Sequence, residues 1–340
     1  MKFVMSLTCD ASAIRRTSRM WRESGDKRNP FERVLVSPLF ADVSNLKAVQ
    51  ELREEWGSEV YFDSGGYYVQ QGRMAYPELC DQLRAYYANP NNHWADYYVL
   101  PDHVPTSADS PLEVARKVAE TCTVASQFYN QMPSELQRKA LPVIQGHTSQ
   151  HISACVETFS KLGVGQVGFG SFGTSGASNS INTVTDNAHR MLTYVRELTK
   201  QHRFQVHLFG VGTPPILYLF KRMGFYSFDS MAWARAGGYG NAFLPFMKGF
   251  MVSQTAAAMF RSSLDRETFE RYRVITGHQC QFCEDFFVLS NNRQYRMMHN
   301  LACILDTVEF LQTWSAQQIL EAIGLVSPRY LRYYKEWVGV

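Results

Sequence analysis

Eight short runs rich in β-branched and aromatic residues recur through the first 230 residues, each ending at or near Gly, Pro, Asp or Ser, and their spacing constrains the fold most tightly. They are Phe3–Leu7, Val34–Ser37, Val60–Asp63, Tyr97–Leu100, Pro142–Gln145, Gln166–Phe169, Gln205–Phe209 and Phe225–Asp229. Helical patterns lie between most of them. Asn45–Trp56 carries apolar residues at Leu46, Val49, Leu52 and Trp56, in steps of three and four, and Leu112–Tyr129, Gln150–Leu162, Asn187–Gln201 and Pro215–Met223 read similarly. Alternating strands and helices, with the strands nearly continuously apolar, predict a parallel sheet covered by helices. Eight such units over 230 residues match an α/β fold of the (β/α)8 TIM-barrel type. A doubly wound open sheet is the alternative, and no Gly-rich dinucleotide or P-loop fingerprint follows the first strand to support it. No fixed-period repeat or low-complexity stretch interrupts the chain.

The segment His278-Gln-Cys280-Gln-Phe-Cys283, with His299 sixteen residues further on, sets two Cys and two His at spacings that suit closed, four-coordinate zinc. A tight turn lets His278, Cys280 and Cys283 take three corners of a tetrahedron, and His299 returns from the next helix to take the fourth. No corner is left for water, so the expected Zn2+ is structural and the chemistry belongs upstream. The bland alternative is two buried cysteines and two surface histidines that never meet. Helices are expected around Phe246–Met259 and Thr307–Ile323 on either side of the zinc loop. The expected division is therefore a catalytic barrel over 1–242 and a zinc-binding, helical C-terminal module over 243–340 packed on it.

No eighteen-residue apolar run and no signal-peptide core are present, and Cys9, Cys80, Cys122, Cys155 and Cys303 are scattered singly. That pattern suits reduced thiols in the cytoplasm better than a disulfide framework, with no membrane partner. The net charge of +3 is small, but its distribution is uneven. Arg15, Arg16, Arg19 and Arg22, with Lys27 and Arg28, crowd around Trp21. Arg329, Arg332 and Lys335 interleave with Tyr330, Tyr333, Tyr334 and Trp337. Cations beside aromatics serve phosphate contact and base stacking, although a solvated helix face explains either cluster alone.

Reactive groups in a barrel project from the C-terminal ends of its strands. Those ends read Asp63-Ser64-Gly65-Gly66-Tyr67, Leu100-Pro101-Asp102-His103, Gln145-Gly146-His147, Gly170-Ser171-Phe172-Gly173 and Ser227-Phe228-Asp229-Ser230. Taken singly, Asp63 reads as a turn aspartate and Asp102 as a loop cap. Together they make a polar set facing one pocket. Asp229, flanked by Phe228 and Met231, is placed to attack an electrophilic carbon. A pair of carboxylates about 5 Å apart supports double displacement at an anomeric carbon. Asp102 and Gln145 offer complementary groups to the edge of a planar heterocycle, Gly170 and Ser171 expose backbone groups to it, and Phe172 or Tyr67 can stack on its face. No redox or nucleotide cofactor is called for.

At these residues the chain resembles the tRNA-guanine transglycosylase superfamily, zinc-bearing (β/α)8 barrels that swap guanine for a 7-deazaguanine base. The family's Asp-Ser-Gly-Gly-aromatic motif is matched by Asp63 to Tyr67, its base-reading Asp by Asp102, its Gln-Gly pair by Gln145-Gly146, and its Gly-rich loop by Gly170-Ser171-Phe172. The nucleophile segment stands as Gly210 to Pro214 and then Phe228-Asp229, with Arg235 at the family's spacing. The resemblance implies Asp229 as nucleophile, Asp63 as general acid/base, and Ser64, Tyr67, Asp102, Gln145, Gly146, Gly170, Ser171 and Phe172 as base-binding residues. Arg15, Arg16, Arg19, Arg22 and Arg235 are the nucleic-acid candidates. The first four follow the first strand and are therefore expected on the catalytic rim.

Departures from the family pattern point to a branch. Loops are short, Ser171 replaces the second backbone Gly, and His278 replaces the first zinc Cys of Cys-x-Cys-x2-Cys. These features look like the DNA-acting branch, the DpdA-type 7-deazaguanine transglycosylases of phages and bacteria. Gly176 stands where bacterial tRNA enzymes carry a Glu that reads a cationic aminomethyl group, which favours a neutral nitrile base, preQ0. The expected partners are DNA ahead of tRNA and a 7-deazaguanine base, with a homodimer open and a host-cytoplasm location if phage-encoded. The alternatives are a tRNA transglycosylase, a non-catalytic nucleic-acid-binding subunit and, more distantly, a sugar hydrolase on the same barrel.

Overall fold

The structure is a computed structural model that describes residues 1–171, 185–253 and 264–338. Nine parallel strands form the main sheet: β1 (Lys2–Ser6), β2 (Arg33–Val36), β3 (Glu59–Phe62), β4 (Tyr97–Val99), β5 (Ala140–Leu141), β6 (Val143–Ile144), β7 (Gln166–Phe169), β8 (Gln205–Leu208) and β9 (Ser227–Ser230). They run in the order β5-β4-β3-β2-β1-β9-β8-β7-β6, so the two outermost strands are consecutive in the chain. Pro142 separates them. It has no N–H to give a ladder, yet the carbonyls around it serve both sides. Leu100 N–H donates to Leu141 O at 3.0 Å, and Gly168 N–H donates to Pro142 O at 2.8 Å. The expected fifth strand is β6, and an unexpected two-residue strand, β5, precedes it; together they bring the sheet back on itself as a nearly closed TIM-type barrel.

Side-chain alternation along the strands makes two cores. Val4, Leu35, Tyr61, Val99, Leu141 and Val143 fill the barrel interior, with the Tyr61 and Tyr97 rings stacked at 4.3 Å. Phe3, Met5, Val34, Val36, Val60 and Phe62 face outward and are buried under the helices. Those helices include Ala11–Glu23, Val43–Trp56, Pro111–Gln131, Ser149–Ser160 and Asp186–Gln201. Each of these five opens on a side-chain cap, Asp10, Asp42, Ser110, Thr148 or Thr185, that accepts from the backbone N–H three residues on. Among the described residues, no helix is long and apolar enough to cross a membrane.

Two helix expectations are corrected beyond the barrel. The segment expected as helix from Phe246 to Met259 begins instead as a hairpin, β10 (Asn241–Leu244) antiparallel to β11 (Met247–Met251). Phe246 sits in its turn at φ 62°, a left-handed conformation that no helix continues through. Residues 254–263 lie outside the described residues. The expected helix Thr307–Ile323 is two helices, Arg293–Thr313 and Ala316–Val326. Trp314 is extended between them, and Ser315 with Gln318 forms a capping box that starts the second. A last helix spans Pro328–Val338.

Candidate active site and metal centre

A cavity of about 470 Å³ opens at the C-terminal end of the barrel, bounded by Asp63, Ser64, Tyr67, Asp102, Gln145, Gly170, Asp229 and Arg235 among others. Strand ends β3, β4, β6, β7 and β9 deliver the carboxylates, amide and glycine that the sequence placed there. Two backbone features allow the crowding. A Cβ on Gly66 would lie 3.0 Å from Asp102 Oδ1, and one on Gly212 would lie 2.5 Å from the Phe228 ring. Gly212 therefore requires glycine, and at Gly66 a larger residue would press on the Asp102 carboxylate.

One wall holds Asp229, whose carboxylate is nearly sealed. Ser6 Oγ donates to Oδ2 at 2.5 Å, Gly210 N–H donates to Oδ1 at 2.8 Å, and His207 Nε2 lies 3.3 Å from the same oxygen. Asp63 faces the same cavity. Ser37 Oγ donates to its Oδ2 at 2.7 Å. Burial, and next to it the charge of Asp229, raise the Asp63 carboxyl above its ordinary range. A desolvated carboxyl raised in this way holds a proton more readily than a free one, which suits Asp63 to proton transfer.

Beside Asp63, at the end of the neighbouring strand β4, begins a hydrogen-bonded chain. Ser64 Oγ donates to Asp102 Oδ1 at 2.6 Å, and Gln145 Nε2 donates to Asp102 Oδ2 at 2.5 Å. Ser171 Oγ donates to Gln145 Oε1 and accepts from Gly146 N–H at 2.9 Å. Gly146 and Ser171 thus sit behind Gln145 and fix its amide, while Gln145 and Asp102 reach the cavity. Burial pushes the Asp102 carboxyl up to about 6 against the pull of these donors.

Tyr67 stands on the cavity mouth, partly exposed. Phe172, Gly173 and Gly176 lie outside the described residues. Arg235 is exposed at the mouth, on the helix Ala232–Gly238. Arg15, Arg16, Arg19 and Arg22 are spread along the outer helix Ala11–Glu23, which returns from the rim along the barrel wall. There Arg15 pairs with Glu51 at 2.6 Å and Arg22 with Glu55. Sequence reasoning missed Ser6, Ser37 and His207. The alternation of strand faces carried the signal, since each projects inward beside a carboxylate.

The four expected metal ligands converge. His278, Cys280, Cys283 and His299 each offer one ligand atom, all within 4.8 Å of one another. The separations are 3.5 Å for Cys280 Sγ to Cys283 Sγ, 3.5 Å for Cys280 Sγ to His299 Nδ1, and 3.2 Å for His278 Nε2 to His299 Nδ1. A tetrahedral zinc with bonds of 2.0–2.3 Å needs ligand atoms about 3.3–3.8 Å apart, so the set fits. The outer hydrogen bonds fit as well. His278 Nδ1 meets Asp306 Oδ2 at 2.5 Å and His299 Nε2 meets Phe243 O at 2.8 Å, leaving the other nitrogen of each ring for the metal. Asp306 and the buried Cys303, whose Sγ lies against both rings, were not read from the sequence. A metal held here would tie the turn after helix Arg266–Thr276 to helix Arg293–Thr313, a structural task.

A model of the family described as queuine tRNA-ribosyltransferase matches residues 89–311, about two thirds of the chain, and the protein belongs to that family. Membership makes it a pentosyltransferase that exchanges guanine bases. The matched span holds Asp102, Gln145, Gly170, Asp229 and the metal cluster, while Asp63, Ser64 and Tyr67 precede it. No curated protein matches the chain.

Proposed function

We propose that this protein exchanges guanine in DNA for a 7-deazaguanine base, preQ0 first, by double displacement through a covalent intermediate on Asp229. The observation that carries the exchange is one cavity lined by Asp229, by Asp63 and by the hydrogen-bonded Asp102–Gln145 pair. Asp229 attacks C1′ of the target nucleoside as the bond to guanine breaks, and Asp63 protonates the departing base. The entering base then loses its proton to Asp63 and attacks C1′, so the original anomeric configuration returns. Asp102 and Gln145 read the edge of the heterocycle in both halves.

The choice of DNA over tRNA rests on Ser171, His278 and the short loops, and that of preQ0 on Gly176. Exchange inside a polymer requires the target base to be flipped, and phosphate contacts by Arg15, Arg16, Arg19, Arg22 and Arg235 offset that cost of a few kcal/mol. Exchange in tRNA is the second reading, favoured by the tRNA in the name of the matching family. Nucleoside mass spectrometry of DNA and of tRNA from cells expressing the chain tests both. A deazaguanine nucleoside in tRNA alone overturns the DNA reading, and the Asp229→Asn variant must abolish whichever product appears.

A further inference from the structure

Behind Asp229 lies a buried pair that base exchange as described leaves without a task. His207 in β8 and Ser227 in β9 are register partners, and neither is exposed. Ser227 and Asp229 are two residues apart and so project to the same side of β9, into the barrel. The His207 ring faces both. It stacks on Tyr61 at 5.6 Å and meets Phe209 edge-on at 4.5 Å, which fixes its plane. Its Nδ1 lies 2.8 Å from Ser227 Oγ and its Nε2 3.3 Å from Asp229 Oδ1.

An ionised carboxylate only accepts hydrogen bonds, so the ring nitrogen facing it must carry the proton. Ser227 then donates its hydroxyl hydrogen to the bare Nδ1. A hydrolytic serine triad is excluded by the burial of Ser227, because it is the carboxylate that opens on the cavity. Ser6, on Oδ2, and Gly210, on Oδ1, both line the cavity and His207 does not, so Oδ1 is the oxygen anchored twice, once from behind, and Oδ2 the one with a single donor and free to react.

We propose that His207, locked by Ser227 with its proton on Nε2, is a positioning residue that holds Asp229 Oδ1 together with Gly210 N–H while Oδ2 bonds to C1′. This rests on the reading of Asp229 as nucleophile. In the first displacement Oδ2 gives an electron pair to C1′, the C1′–N9 pair leaves with guanine, and the proton comes from Asp63. Oδ1 becomes the ester carbonyl and keeps both donors. In the second, the entering base attacks C1′, its proton goes to Asp63, and the C1′–Oδ2 pair returns to the carboxylate. The returning charge meets donors already in place, so they favour breakdown of the covalent adduct over its formation.

Exchange of labelled guanine is measured on total tRNA and on duplex DNA, and the acceptor that the wild type labels is used for every variant. His207→Phe should lower kcat about a hundredfold, the usual loss for one preorganised donor, with KM for guanine within about twofold. The fraction of enzyme in a denaturation-stable adduct should rise, which a merely loosened fold would not produce. His207→Gln, whose amide N–H can reach Oδ1, should recover about tenfold of the loss. Ser227→Ala should lose less than His207→Phe and keep the wild-type Tm, which covers the case of a misfolded His207 variant. Wild-type kcat in both His207→Phe and Ser227→Ala, with Asp229→Asn inactive, overturns the positioning role alone. Wild-type exchange by Asp229→Asn overturns the nucleophile reading instead, and a wild type that labels neither acceptor overturns exchange itself.

Discussion

Replacing Asp102 by Asn should make the protein more stable at neutral pH while weakening its grip on the base. Burial raises the Asp102 carboxyl from 3.8 to about 6 in the fold. A raised carboxyl binds its proton more tightly folded than unfolded, so the folded state is favoured below pH 3.8 and that stability is lost as pH rises through about 6. A shift of roughly two units corresponds to about 3 kcal/mol of destabilisation at pH 7, an upper figure for so buried a group. Asn keeps the shape and removes the charge. It accepts from Ser64 through Oδ1, and Gln145 turns its amide over so that its oxygen accepts from the new Nδ2 and its nitrogen donates to Ser171. With that rearrangement the expected gain is about 1–3 kcal/mol, or about 2–4 °C in Tm for a chain of this length. Below pH 4 the gain should vanish. Urea melts of both proteins at pH 4 and pH 7.5 measure it, and calorimetry with guanine should show Kd raised about tenfold or more. Equal stability of the two proteins at pH 7.5 would refute the burial argument, and unchanged guanine Kd would move the base elsewhere.

Other substitutions read other parts of the structure. Joint Cys280→Ser and Cys283→Ser replacement should abolish zinc binding by metal analysis and melt the C-terminal helices, since structural zinc contributes folding free energy directly. Asp306→Ala should weaken zinc about 10–100-fold by freeing the His278 ring, as a chelator titration would show. Gly66→Ala should weaken guanine binding with little loss of Tm, because its Cβ would press on Asp102 Oδ1 at 3.0 Å. Replacing Arg15, Arg16, Arg19 and Arg22 by Ala should weaken DNA binding and flatten its salt dependence by about 0.7–0.9 log units per lost phosphate contact. An unchanged slope would leave Arg15 and Arg22 serving only Glu51 and Glu55.

Local pattern carried what was legible. Eight of the nine barrel strands announced themselves by composition and a nearby breaker, and the ninth, Ala140–Leu141, was missed because two residues before Pro142 are too few to show a pattern. The His/Cys cluster that could hold a metal was legible because three of its members share one turn. The hairpin over 241–251 was not, since its apolar residues also fall at helical steps and only the left-handed Phe246 decides. Partners far apart in the chain were invisible. Ser6 and Asp229 are separated by 223 residues, and His278 and Asp306 by 28; strand alternation turns Ser6 inward but does not say which carboxylate it meets, and no spacing rule links His278 to Asp306.

Asp306 has a second partner. Its other carboxylate oxygen accepts from the Arg28 guanidinium, which also pairs with Asp26 at 2.6 Å. Nearby, the Phe282 ring lies against Trp21 of the first helix, centroids 6.1 Å apart. The opening turn of the barrel is therefore finished by the last quarter of the chain. During synthesis, residues 21–28 emerge long before residue 306, and β1 must likewise wait for β9 at its flank. At 5–20 residues per second that is an interval of about 15–60 s in which the N-terminal segment is out of the ribosome with its contacts to Phe282 and Asp306 unmade. A nascent chain stopped before residue 306 should keep Trp21 and Arg28 open to protease and to chaperones, whatever zinc is supplied.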